Sequence, residues 1–144
     1  MERIESQAEP GRLLHILFRG SELDEPGVRQ CSGRIDICPP EEGLQVAYLK
    51  LLNEQTFRPH KHVERRREIP RTQESWIVVR GIVQVVYYDI DNSLIGRRTL
   101  NAGDATVTFA GGHTYKSYST GSRVYEIKTG PYVGTEADKE FIGA

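Results

Sequence analysis

The sequence predicts an all-β protein, an antiparallel sandwich or barrel entered through a short N-terminal arm. Two observations carry this prediction. From Leu44 onward, segments dominated by β-branched and aromatic residues follow one another closely. Polar turns separate them: Asp91-Asn92-Ser93, Asn101-Ala102-Gly103-Asp104 and Thr120-Gly121-Ser122. The chain has no solenoid-type internal repeat.

Taken in order, residues 1–40 form the arm. Arg12 to Leu23 is expected to make one or two helical turns, with Leu13, Leu14, Leu17 and Phe18 on one face. Glu25-Pro26-Gly27 breaks that pattern, and Cys38-Pro39-Pro40 ends the next apolar piece. The arm is expected to pack on the main body or on a partner. Residues 41–144 are the barrel, in one domain overall. Its expected strands are LQVAYLKLL, TFRPHKH, SWIVVRG, IVQVVYYDI, LIGRRTL, ATVTFA, HTYKSYS and RVYEIKT. The runs WIVV and VVYY break the alternation of a half-exposed strand, so they are expected between two sheets. The tail GTEADKEFIGA is expected to hold a short helix.

Composition bounds the function. At 144 residues the chain has room for one core. Its 19 basic and 20 acidic residues give a net charge of -1, which excludes a general basic footprint for nucleic acid. No apolar stretch has the length of a membrane span, and LLHILF is too short for the core of a signal peptide. Cys31 and Cys38 form no CxxC pair and are expected to be reduced thiols in a cytoplasmic protein, although a disulfide between them is geometrically possible. Neither a phosphate-binding P-loop nor a G-x-S-x-G nucleophile elbow is present.

The chemistry centres on histidine. The chain has four: His15, His60, His62 and His113. In a strand His60 and His62 point to one face, about 7 Å apart, and can converge on one ion. The alternative is an exposed His-Lys-His on a solvated face. Downstream, Glu74 precedes a strand that closes at Gly81, and His113 follows Gly111-Gly112.

In this order of residues the chain resembles the cupin superfamily. That family's first motif is G-x5-H-x-H-x3,4-E-x6-G and its second G-x5-P-x-G-x2-H-x3-N. TFRPHKH supplies the two histidines, QESWIVVRG the glutamate and closing glycine, and GDATVTFAGGH supplies Gly103, Gly111 and His113. The likeness spans about residues 44–130 and is closest to small cupins of polysaccharide-biosynthesis gene clusters. It implies a double-stranded β-helix, the jelly-roll barrel, and a metal held by His60, His62, Glu74 and His113. The departures are specific. Eleven residues separate His62 from Glu74 where the family has three or four. Glu64 and Glu68 therefore compete for the carboxylate role, with Glu74 favoured by its spacing to Gly81. Phe109 replaces proline, one residue is missing before His113, and Ser117 stands at the usual asparagine.

Three imidazoles and a carboxylate suit a divalent first-row ion and leave positions for water or substrate, without choosing among Fe, Mn, Zn, Ni and Cu. Around the expected mouth, Thr56 and Arg58 share parity with the His60/His62 pair, and Tyr115 and Ser117 share parity with His113. Arg58 would suit an anionic group, or pair with a local glutamate. Tyr115 would hydrogen-bond a ligand or line the core. Arg58 and Tyr115 are thus the candidate catalytic residues. Trp76 is expected in the core or pocket wall, and Gln45 and Tyr87 are weaker candidates. Arg65-Arg66-Arg67 reads as a solvated loop, or as an anion attractor if folded over the opening. His15 is assigned no role. The expected function is a metal-binding cupin acting as an isomerase, epimerase or oxygenase on a small polar molecule such as a sugar, with an anionic nucleotide sugar included. The alternatives are a non-catalytic small-molecule-binding module and a metal-free epimerase or isomerase using His60 or His62 as base and a tyrosine as acid. A homodimer is expected because open sheet edges invite pairing.

Overall fold

The structure is a computed structural model that describes residues 1–24 and 33–143. Ten strands are present among them: β1 (Glu2–Glu5), β2 (Leu13–Phe18), β3 (Gly33–Asp36), β4 (Ala47–Lys50), β5 (Glu74–Arg80), β6 (Ile82–Tyr88), β7 (Leu94–Asn101), β8 (Ala105–Thr108), β9 (Gly112–Ser117) and β10 (Arg123–Lys128). A 3-10 turn spans Ser21–Asp24, and α1 spans Thr135–Asp138, within the tail where a short helix is expected. The strands make three antiparallel sheets, ordered β1-β2-β8-β5-β10, β3-β4 and β7-β6-β9. The protein is mostly β, as its sequence predicts, and the sheets do not close into a barrel. No helix among the described residues is long and apolar enough to cross a membrane. Cys31 lies outside the described residues, whereas Cys38 is buried.

Two local expectations are corrected. The helix expected between Arg12 and Leu23 is a strand followed by a 3-10 turn. Leu13-Leu14-His15-Ile16-Leu17-Phe18 is an apolar run broken only by His15, which fits a helix or a doubly buried strand, and strand partners decide between them. β2 has one on each side: Ile16 stands opposite Arg3 of β1 and Val107 of β8. The arm's first two strands thereby belong to the largest sheet, β1 at its edge and β2 inside it. The second correction concerns TFRPHKH. Residues 51–68 form no strand and are exposed throughout. Pro59 lacks a ladder donor, and the charged run after it has no apolar alternation to bury.

The two faces of the five-stranded sheet carry separate cores. On one, Ile16, Phe18, Val107 and Phe109 are covered by Ile37, Cys38 and Leu44. On the other, Leu17 and Val78 pack against Val83, Val85, Tyr87 and Leu100 of the three-stranded sheet. The chain crosses between these sheets at Gly81, whose φ of +86° and neighbours Ser119 and Ser122, 2.5 Å from any added Cβ, require glycine. Of the two runs without alternation, VVYY buries Val85, Val86 and Tyr87, as expected for a strand between sheets, whereas WIVV ends on Val79, which is half exposed.

Buried polar groups tie the N-terminus to this frame. Asp89 is fully buried and accepts hydrogen bonds from Ser6 Oγ at 2.6 Å, Gln7 N at 2.6 Å and Ile90 N at 2.7 Å. Burial works to raise its pKa, but the Ser6 hydroxyl and backbone amides prevail and hold it at about 2. His15 is also fully buried, and its pKa falls to about 4, chiefly through desolvation.

These shifts set two acid windows. His15 is depressed relative to an unfolded value of about 6.5, so its contribution is complete above that pH and is lost as pH falls towards 4. Asp89, depressed from an unfolded value of about 4, contributes above that pH and loses its contribution towards 2. Urea denaturation between pH 7 and 2.5 should show stability falling in both windows, by up to about 1.4 kcal/mol per pH unit in the His15 window. His15→Asn should flatten the upper window and Asp89→Asn the lower. An unchanged profile in either variant contradicts the assignment.

Candidate functional site

Strand register gathers the polar groups at one end of the space between the sheets. Across the five-stranded sheet, His15, Thr108, Glu74 and Lys128 stand in one row, with Leu17, Thr106, Trp76 and Glu126 in the next. In the facing sheet His113 is opposite Tyr87, and Tyr115 is opposite Val85. Glu74 opens β5 and His113 lies near the start of β9, so both sit at the same open end. The cleft between them has a volume of about 880 Å³ and is lined by Glu74, Trp76, Thr108, His113 and Tyr115, with Lys139 to Ile142 of the tail along its rim. Gly111 makes the tight approach to β9 possible. Its φ is +71°, and an added Cβ would stand 2.5 Å from the Tyr88 carbonyl oxygen and 3.3 Å from His15 Nε2.

The central contact is between Glu74 and His113. His113 Nε2 donates to Glu74 Oε1 at 3.1 Å, and Trp76 Nε1 donates to the same oxygen at 2.9 Å. Burial works to raise the Glu74 pKa, but the His113 hydrogen bond and charge, then Lys139 and Trp76, hold it below the ordinary carboxylate value. Glu74 is therefore an anion at neutral pH, with Oε2 receiving no hydrogen bond from the described residues. Tyr115 stacks on Trp76 with ring centroids 3.7 Å apart and planes 8° from parallel. Burial, with Glu74, Tyr87 and Glu126 nearby, pushes its phenol well above the usual tyrosine range, so it stays protonated. Its hydroxyl and His113 Nδ1 are buried without hydrogen-bond partners among the described residues.

The other expected site residues divide clearly. His60 and His62 are exposed in the segment 51–68, their rings edge to face with centroids 5.4 Å apart. His60 Nδ1 stands 3.0 Å from the Arg58 carbonyl oxygen. That oxygen can only accept, so Nδ1 carries hydrogen, and in the neutral ring Nε2 is the lone pair. Thr56, Arg58, Glu64 and the three consecutive arginines are likewise exposed there, and Glu68 pairs with Arg66 at 2.9 Å. Among the described residues no group of three or more His, Cys, Asp or Glu side chains is placed to hold a metal. Ser117 bonds to Ser119 and Ser122, and Gln45 to the Pro39 and Glu42 carbonyls, all outside the cleft. Tyr87 is buried, and its hydroxyl lies 2.6 Å from Thr106 Oγ1. Thr108 and Glu126 line the cleft without having been singled out by sequence. Strand parity with Glu74 and Trp76 was the available signal, but only once β5 is paired with β8 and β10.

The fold and the cleft define a mostly β protein whose two facing sheets present a carboxylate–imidazole pair at one open end. Compared with family models, with curated proteins and with solved structures, the chain has no match.

Tyr115→Phe removes a buried hydroxyl that has no partner among the described residues, so the ligand-free protein should be unchanged or stabilised by up to about 1 kcal/mol. Urea denaturation measures this. A loss of more than about 1 kcal/mol would show that the hydroxyl is satisfied within the fold.

Proposed function

We propose that the protein is a jelly roll of the cupin kind. In this reading it holds a divalent transition metal through Glu74, His113, His60 and His62 and acts on a small polar molecule, a sugar being the leading class. The observation that carries this reading is the contact between Glu74 and His113. Two donor atoms about 2.1 Å from one ion at a right angle lie about 3.0 Å apart. Glu74 Oε1 and His113 Nε2 are 3.1 Å apart, so an ion in place of the shared proton needs no change in their spacing. Nε2 of the neutral His60 ring, with Nδ1 on the Arg58 carbonyl, would be a second donor of the right kind.

Strand order supports the fold half of the proposal. β5 pairs with β8 and β10, while β6 pairs with β7 and β9, so the chain passes repeatedly between two sheets. β9 and β10 each have one free edge among the described strands. A strand over residues 56–62 along the β9 edge would extend the sheet carrying His113 and direct His60 and His62 to a single face. The metal would supply Lewis-acid or, if iron, oxygen chemistry, and the chain's own residues would hold, orient and desolvate the ligand.

A second reading is favoured by the same pair. Glu74 orients the His113 ring as in an acid–base dyad, and the protonated Tyr115 stands beside it with ring centroids 5.2 Å apart. That arrangement would serve a metal-free epimerase or isomerase, His113 taking the base role considered above for His60 or His62. A non-catalytic module would bind a ligand in the same cleft and convert nothing. We further propose a cytoplasmic homodimer, supported by the free β10 edge, where Tyr125 is 67% and Ile127 42% exposed.

Titration of chelator-treated protein with Mn, Fe, Co, Ni and Zn salts tests the metal. One ion should bind per chain, and Glu74→Gln, His113→Ala, His60→Ala and His62→Ala should each weaken it by about tenfold or more. Unchanged binding in both His60 and His62 variants would remove the completing strand from the account. No binding of any ion, with turnover of sugar nucleotides, would select the metal-free reading.

A further inference from the structure

We infer that His15 sets the hydrogen-bond polarity of the cleft: held as the Nε2–H tautomer, it accepts the one hydrogen bond the Thr108 hydroxyl can donate and leaves Thr108 Oγ1 as an acceptor for a hydroxyl of a neutral, polyhydroxylated ligand. The inference rests on the cleft being a small-molecule site and deepens that reading to a ligand class.

The argument begins with the fully buried His15 ring. It lies against Tyr87, ring centroids 4.5 Å apart, and touches two oxygens. Nε2 is 3.4 Å from the Tyr88 carbonyl, and Nδ1 is 3.0 Å from Thr108 Oγ1. A carbonyl only accepts, so Nε2 carries hydrogen. Among the described residues no carboxylate hydrogen-bonds the ring to stabilise a second proton, and burial opposes one. Nδ1 is then a lone pair, and Thr108 must be the donor. A threonine hydroxyl has one hydrogen, and this contact uses it. Gly111 permits the arrangement, because a Cβ there would crowd both the Tyr88 carbonyl and His15 Nε2.

The consequence appears on the cleft side. Thr108 lines the cleft beside Glu74, its cross-strand neighbour. Thr108 Oγ1 and Glu74 Oε2 both accept, and the buried Tyr115 hydroxyl, without a partner among the described residues, can donate as well as accept. A phosphate, itself acceptor-rich, would meet acceptors. Adjacent hydroxyls of a sugar would meet complementary groups. Charge agrees: Glu74, Glu126, Asp138 and Glu140 line the cleft against Arg71 and Lys139. The arginines expected to draw an anion, Arg58 and Arg65 to Arg67, stand on the exposed 51–68 segment and are not part of this lining.

The experiment has two arms on the full chain. Long-range 1H–15N correlation of histidine side chains at pH 7, with His15 assigned by its loss in His15→Asn, should show Nε2–H. An Nδ1–H or cationic ring overturns the lock. Saturation-transfer NMR with free D-glucose, D-galactose, D-mannose and L-rhamnose, and separately with inorganic phosphate, reads the ligand class. At least one sugar should bind, Thr108→Val should weaken it about tenfold, and Thr108→Ser should restore it. Binding by no sugar, or unchanged binding in Thr108→Val, overturns the ligand class. If Thr108→Val fails to fold, the wild-type tautomer and the sugar-against-phosphate comparison still decide. Glu74 and His113 are intact in every variant used, so metal titration reports separately on the proposal above.

Discussion

The contact between Glu74 and His113 is the constraint on which the cleft depends. It joins the first residue of β5 in the five-stranded sheet to β9 in the three-stranded sheet, 39 positions along the chain. Their approach needs the crossing at Gly81, so that β5 and β6 enter different sheets, and the turn at Gly111, so that β9 starts close to the end of β8. Trp76 shares Glu74 Oε1 and stacks on Tyr115, making a second bridge between the same strands. The carboxylate is thereby anionic, oriented and short of water, with one oxygen open. That combination is of use to an ion or a polar ligand and expensive to keep for stability alone.

The rest of the fold supports this end of the sandwich. β2, which looks like an appendage in sequence, packs between β1 and β8 and faces both cores. Its Ile16 and Phe18 serve one face, and Leu17 serves the other with His15 beside it. Asp89 gathers Ser6, Gln7 and Ala8 into the structure directly after β6. Severing the N-terminal strands would therefore remove His15 from Thr108 and expose the wall of the cleft.

Much of the architecture was legible in the sequence. β5 to β10 follow from short β-branched runs and the turns between them, and the spacings from Glu74 to Gly81 and through Gly111-Gly112 to His113 selected the two residues that meet. β2 was not legible, because the single histidine of LLHILF is too little to reveal a period and only its two partners make it a strand. His15 carried no signal either, since its partner Thr108 is 93 positions away. Residues 51–68 are the converse case. The His60/His62 pair has ligand-like spacing, yet Pro59 and the charges that follow supply no apolar face to hold a strand by burial. A metal, by binding its ligands, would provide the missing favourable term, as metal sites do when ordering accompanies binding.

X-ray absorption at the metal edge of ion-loaded protein tests the central claim most directly, because it counts the imidazoles around the ion. The account requires a first shell of three imidazoles and one carboxylate, drawn from both sheets and the 51–68 segment. A shell with one imidazole or none, the remainder being water, would leave the cleft without a metal centre and the histidine pair as an ordinary solvated loop.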